Sequence, residues 1–135
     1  MKGSYILVIE LKGNKRIQVG KLGNISFKKG FYVYVGSALN GLEQRISRHL
    51  RSNKKMHWHI DHLLQYANVI NVFYKESNKR EECNIAKKLD KKLSSIPGFG
   101  CSDCKCKTHL FYGYGGNIGR VVNGLELYQY FNANT

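Results

Sequence analysis

The run FYVYVG, Phe31 to Gly36, constrains the fold more than any other stretch. Its β-branched and aromatic residues favour an extended strand. Side chains alternate across a strand, so Phe31, Val33 and Val35 share one face, and Tyr32, Tyr34 and Gly36 share the other. The first face is expected to be core, and the second to present two phenols. Six residues on, Leu42, Ile46 and Leu50 recur with helical spacing. A strand feeding through a short loop into an amphipathic helix of Leu42 to Arg51 excludes both all-β and all-α folds. Arg45 and His49 sit four apart on that helix, along the edge of the apolar stripe.

The rest of the chain fits around this unit. Residues 4–11 and 15–20 read as strands about Gly13 and Asn14, an opening hairpin. A second helix is expected from about Trp58 to Ala67, burying Ile60, Leu63, Leu64 and Ala67. A strand follows from Val69 to Tyr74. Lys79 to Leu93 reads as a third helix with Ile85, Ala86, Leu89 and Leu93 inside. A strand from His109 to Tyr114 and a short helix from Gly124 to Phe131 complete the pattern. The fold class is therefore α/β in the α+β sense, a small mainly antiparallel sheet flanked by helices. At 135 residues, 42% of them hydrophobic and one a proline, residues 1–135 fit a single domain.

Charge narrows the partner. There are 22 basic and 9 acidic residues, a net charge of +13, which attracts polyanions. Nucleic acid is the expected one, DNA first with RNA left open. The start MKGSYILVIELKG has an apolar run of only Tyr5 to Ile9 and lacks a signal-peptide cleavage pattern, and no segment reaches the length of a membrane span. A cytoplasmic protein is expected, with its four cysteines as thiols or metal ligands rather than disulfides.

The ordered segments Gly3-Ser4-Tyr5, then GFYVYVGSALNGLEQRISRHL, KKMHWHIDHLL, and ECNIA followed by GFGCSDCKCKTHLFY, carry a resemblance. They resemble the GIY-YIG nuclease superfamily, which includes homing endonucleases, restriction enzymes and an excision-repair nuclease. They are most similar to its uncharacterised branch, the domain of unknown function 123. The resemblance implies a metal-dependent endonuclease that hydrolyses DNA phosphodiester bonds, structure-selective and serving DNA repair or processing. It implies Tyr5 and Tyr34 as the two phenols, one activating water, Arg45 on the phosphate, and His49 assisting proton transfer. A glutamate on a later helix would hold one Mg2+ or Mn2+. The alternative is a nucleic-acid-binding module of the same fold with little or no cleavage.

Elementary chemistry agrees with these assignments. A phosphodiester transition state needs cationic donors on its oxygens, and a guanidinium offers a planar fork. A phenol ionises near ~10, so a basic phenol near neutrality needs adjacent positive charge, which Arg45 and a metal would supply. Helical periodicity selects the glutamate. Glu82 projects into the middle of the stripe Ile85, Ala86 and Leu89, whereas Glu81 and Glu76 do not. An inward carboxylate needs a partner, and a metal is one.

Two departures from the superfamily stand out. Twenty-eight residues lie between Tyr5 and Tyr34, more than is usual, and the excess RIQVGKLGNISFKKG fits an enlarged hairpin. The superfamily's late asparagine is not placed by these motifs, and Ser102, Asp103 or His109 are the candidates to stand in for it. The basic surface is expected from Lys28, Lys29, Arg48, Arg51, Lys54 and Lys55, with His57, Trp58 and His59 lining the groove. For the last group two readings stand open: His57 paired with Asp61 on a helix, or Trp58 stacking on a base. Cys101, Cys104, Cys106 and His109 form a compact set of soft ligands, read either as structural Zn2+ or as plain thiols. Oligomeric state is not legible.

Overall fold

A computed structural model describes residues 2–38, 40–52, 54–100, 107–113 and 115–133. The chain runs β1 (Gly3–Leu11), β2 (Lys15–Gln18), β3 (Asn24–Phe27), β4 (Gly30–Ala38), α1 (Leu42–Leu50), α2 (His59–Leu64), β5 (Asn68–Glu76), α3 (Glu82–Asp90), β6 (Ser94–Ser95), β7 (Leu110–Gly113), α4 (Gly115–Asn123) and β8 (Tyr128–Asn132). Six strands form one antiparallel sheet in the order β6-β7-β4-β1-β5-β8. The expected α+β class, an antiparallel sheet flanked by helices, is the class observed.

β1 and β4 lie at the centre, and both of their faces are buried. Tyr5, Leu7, Ile9 and Leu11 join Tyr32 and Tyr34 in one apolar cluster, together with Leu42 and Ile46 of α1 and Ile60 and Leu63 of α2. Ile6, Val8, Val33 and Val35 join Ile85 and Leu89 of α3 and Ile118, Val121 and Val122 of α4 in the second. The alternation read along β4 is therefore correct, but its phenol face is core too. Tyr32 shows why. Its hydroxyl donates to Lys28 O at 2.7 Å, so the ring is buried without stranding its polar end.

The expected opening hairpin does not form. β2 pairs with β3 in a separate two-stranded ribbon, with Ile17 opposite Ile25. β1 takes β4 and β5 as its neighbours, because its apolar residues on both faces demand a central position. The enlargement between the two tyrosines is thus a hairpin of its own. It buries Ile17, Val19 and Phe27 against the first cluster.

Other boundaries also shift. In α1 the buried set is Leu42, Ile46 and His49, whereas Leu50 is exposed. α2 begins at His59 and α3 at Glu82, later than their sequence patterns suggest. The expected helix from Gly124 to Phe131 is instead the strand β8 on the edge of β5, where alternating aromatic residues suit a pleat. The preceding α4 forms despite its glycines because Ile118, Val121 and Val122 share one face and are buried. Among the described residues no helix is long and apolar enough to cross a membrane.

Candidate active site

At one end of the sheet, the start of β1 lies against the end of β4, with Tyr5 opposite Gly36. A cleft of about 430 Å³ opens there. Tyr5, Tyr34 and Gly36 form its floor, α1 contributes Arg45, and the N-terminus of α3 brings Glu82 over the sheet end. Gly36 has a steric reason: a Cβ at this position would overlap the Tyr5 ring. Glycine at the end of the Tyr-Val-Gly run is what lets the Tyr5 ring lie across β4.

Tyr5 is almost wholly buried, and its Oη lies 2.6 Å from His49 Nε2. His49 packs among the rings of Tyr5, Tyr34 and Trp58, with centroids 5.4, 6.0 and 5.9 Å away. Burial chiefly, then the charges of Lys54, Arg48 and Arg45, holds its pKa down at about 3 against the pull of Asp61. The imidazole is therefore neutral at any physiological pH. Tyr5 moves the other way. Burial, then the neighbouring Tyr34, pushes its pKa well above 10, and Arg45 offsets this only in part. Of the two charges expected to acidify the phenol, Arg45 and a metal, Arg45 alone does not suffice, because desolvation outweighs one guanidinium.

Arg45 is fixed from two sides. Its Nη1 donates to Ser37 O at 3.0 Å, and its guanidinium lies 4.5 Å from the Trp58 ring centroid. Arg48 lies 4.4 Å from the same centroid. It also donates to both Asp61 oxygens at 2.9 and 3.0 Å. Asp61 is fully buried and additionally accepts the backbone N–H groups of His57 and Trp58. Despite burial, Arg48 first and then these N–H groups hold its pKa at about 2. The expected side-chain pairing of His57 with Asp61 is thus replaced by a backbone one, since His57 lies just before α2 rather than on it. The Trp58 ring serves as a platform for two guanidinium groups.

Glu82 is buried as its helical phase requires, while Glu81 remains part-exposed and reaches Lys75 at 3.7 Å. Glu82 Oε1 accepts from Arg80 Nε at 3.0 Å and pairs with Arg80 Nη2 at 2.8 Å. Glu82 Oε2 is buried with no hydrogen-bond partner among the described residues. A buried carboxylate oxygen without a partner is costly, and a hard cation is a fitting one. Among the described residues no three His, Cys, Asp or Glu side chains converge as a metal cage. Mg2+ tolerates such a site, since it keeps most of its waters and often takes one or two carboxylates with substrate phosphates.

The other sequence candidates divide. His57, Trp58, His59 and His109 line the cleft. His59 Nδ1 accepts the Gly100 N–H at 2.8 Å, so in the neutral ring Nε2 carries the proton. Burial and then His62 lower its pKa. Lys54 instead caps α1, its Nζ donating to Arg48 O and His49 O at 3.2 and 3.0 Å. Lys55 contributes its backbone carbonyl to Arg48, and among the described residues neither it nor Arg51 lines the cleft. Lys28 and Lys29 do not join the site. They precede Gly30, the first residue of β4, which itself lies seven residues from Ser37 along the strand, roughly 23 Å at ~3.3 Å per residue.

Cys101, Ser102, Asp103, Cys104 and Cys106 lie outside the described residues, and with them the zinc assignment. His109 is buried, its Nε2 3.9 Å from Cys83 Sγ. Cys83 is disulfide-bonded, which corrects the expectation of a reduced thiol. α3 carries it to within reach of His109. Two cations that line the cleft were missed: Lys21, on the β2–β3 ribbon, and Arg80. A signal for Lys21 existed in the lysine content of the insert. Arg80 stands two residues before Glu82 in a loop without periodicity.

The family follows from the extent of the match. A family model described as domain of unknown function DUF123 matches residues 4–122. The chain belongs to that family. The matched span runs from β1 to α4 and so contains every described residue of the cleft. No curated protein and no solved structure matches the chain.

Proposed function

We propose that this protein is a divalent-metal-dependent endonuclease of GIY-YIG type acting on DNA phosphodiester bonds. One observation carries the reading. Tyr5, Tyr34, Arg45 and Glu82, drawn from four elements, converge on a single cleft. The net charge of +13 supports a polyanionic substrate.

The residues divide the work as follows. Arg45, pre-aimed by Ser37 O and Trp58, binds the scissile phosphate, and its remaining N–H groups stabilise charge on the phosphoryl oxygens. Tyr5 acts with His49 rather than alone, since burial favours its neutral phenol and His49 Nε2 lies 2.6 Å from its oxygen. As a water attacks phosphorus, the Tyr5 oxygen takes its proton while the phenol proton passes to unprotonated His49 Nε2 across 2.6 Å. The bond from phosphorus to the leaving oxygen breaks, and that oxygen is protonated from solvent in the open cleft. Burial is the chief opposition to a charged imidazole, and an incoming phosphate anion would offset the smaller part that Lys54, Arg48 and Arg45 present. A metal ion held by Glu82 Oε2 would supply further positive charge for the phosphate.

The Arg80–Glu82 pair favours a second reading, a nucleic-acid-binding module with little cleavage, because it already neutralises the carboxylate. Glu82→Gln separates the two. With labelled DNA of several structures and Mg2+ or Mn2+, single-turnover cleavage is expected to fall by about two orders of magnitude or more. Metal-free binding should barely change, and Glu81→Gln should behave as wild type. Cleavage by Glu82→Gln at the wild-type rate refutes the metal assignment, and absence of cleavage by wild type on every substrate leaves the binding module.

A further inference from the structure

A second cleft, of about 500 Å³, adjoins the first. The two share Ser37, Arg45, Trp58 and Arg80 as a common wall. Beyond that wall the second cleft is lined by Arg48 and by the amides Asn40 and Gln44, at the opening of α1. Its chemistry differs from the first cleft. Three guanidinium groups and two neutral amides face it, and no carboxylate is among its described lining residues. Asp61 and Glu82, which pair with Arg48 and Arg80, stand outside it. The three cations are held in place by these buried anchors and by Ser37 O, so their positions are set before any ligand arrives.

We infer that this second cleft binds the nucleic-acid phosphate next to the scissile one, so that the strand crosses the Arg45–Trp58 wall with one phosphate on each side. The inference rests on the endonuclease reading of the first cleft. Arg45 and Arg80, facing both clefts, would bridge the two phosphates. The neutral amides of Asn40 and Gln44 suit sugar and phosphate oxygens without adding charge. Recognition of this kind positions the backbone and is indifferent to sequence.

Gln44→Glu tests it, because Gln44 lines only the second cleft. Gln44 is exposed and is the third residue of α1 after the N-cap Gly41, where a glutamate favours the helix. The variant therefore folds, and its melting temperature should not fall. Binding and KM should weaken about fivefold to tenfold, as expected for one like-charge contact at a partly screened surface, with kcat unchanged. Asn117→Asp, on α4 and so against the opposite face of the sheet, should have no such effect at ~0.15 M salt.

The second arm scans oligonucleotides in which each phosphate flanking the cut is replaced singly by a neutral methylphosphonate. One position should weaken wild type by a similar factor and weaken Gln44→Glu no further, the non-additivity of a direct contact. If wild type cuts and Gln44→Glu has the same KM, the second cleft is not a phosphate site, and the endonuclease reading stands. Additive losses at every position, or an equal effect of Asn117→Asp, also overturn the inference. If wild type binds with the predicted non-additivity yet never cuts, the second cleft stands and the endonuclease reading falls. Absence of nucleic-acid binding overturns both.

Discussion

His49 should make this fold sensitive to acid in a way that one substitution removes. Its pKa is about 3 in the folded chain against an ordinary value of 6.5, so the unfolded state binds the proton more readily throughout that interval. A base with a depressed folded pKa contributes stability that is fully present above 6.5 and is lost as pH falls towards 3. At 1.36 kcal/mol per pH unit the whole shift amounts to about 5 kcal/mol, a large share of a small domain's stability. Of this, about 2.7 kcal/mol should be lost between pH 7.5 and 4.5.

His49→Gln removes the titration and keeps a polar end that can meet the Tyr5 hydroxyl. At pH 7.5 the variant should be less stable by roughly 1–2 kcal/mol, because the imidazole no longer fills the space among Tyr5, Tyr34 and Trp58. At pH 4.5 the order should reverse, the variant being more stable by about 1 kcal/mol. Urea denaturation of both proteins at pH 7.5, 6.5, 5.5 and 4.5 measures this, since groups common to both cancel in the difference. A difference that stays constant within about 0.5 kcal/mol across the range would show that His49 titrates normally. Burial would then not set the His49 pKa, and the imidazole beside Tyr5 would be charged below about pH 6.5 and neutral above it.

Tyr5→Phe should lower cleavage by about two orders of magnitude or more, the usual loss of a positioned base. Tyr32→Phe, equally buried but bonded to Lys28 O away from the cleft, should cut normally and lose about 1 kcal/mol in urea unfolding. Equal activity in both variants would remove Tyr5 from the chemistry. Binding to duplex DNA should depend on salt with a log–log slope of about −3.6, from Lys21, Arg45, Arg48 and Arg80, the four cations that line the two clefts among the described residues. Lys21→Gln should reduce its size by about 0.9, while Lys28→Gln with Lys29→Gln should leave it unchanged; the reverse pattern would move the interface to the far end of β4.

What could be read from the sequence was whatever a local period encodes. The two phases of FYVYVG put Tyr32 and Tyr34 on one face, and helical projection singled out Glu82 over Glu81, both as found. The errors arise where a nonlocal contact outweighs the period. His49 takes the buried place assigned to Leu50, because Tyr5 supplies a hydrogen bond that no helical wheel shows. Lys15 to Gln18 pairs forward with β3 rather than back with β1, since the burial of both β1 faces is settled by α3 and α4, far along the chain. The lysines before β4 were attractive as charges, but charge has no period, and only the direction of the strand shows that they stand at its other end.

The placement of Arg45 depends on residues that are distant from it in sequence. Asp61 closes two bonds to Arg48 and two to the backbone of residues 57 and 58, so one buried carboxylate fixes a guanidinium and the start of α2 together. Those contacts set the Trp58 ring, and the ring faces Arg45. The other side of Arg45 is held by Ser37 O, one residue past the glycine that makes room for Tyr5. The phenol and the guanidinium are thus positioned by adjacent residues of β4, and the KKMHWHID segment holds the guanidinium from the opposite side. That arrangement explains why a tryptophan, a buried aspartate and two arginines occur together here: the aspartate and the ring orient charge towards the two clefts, and the arginines present it there.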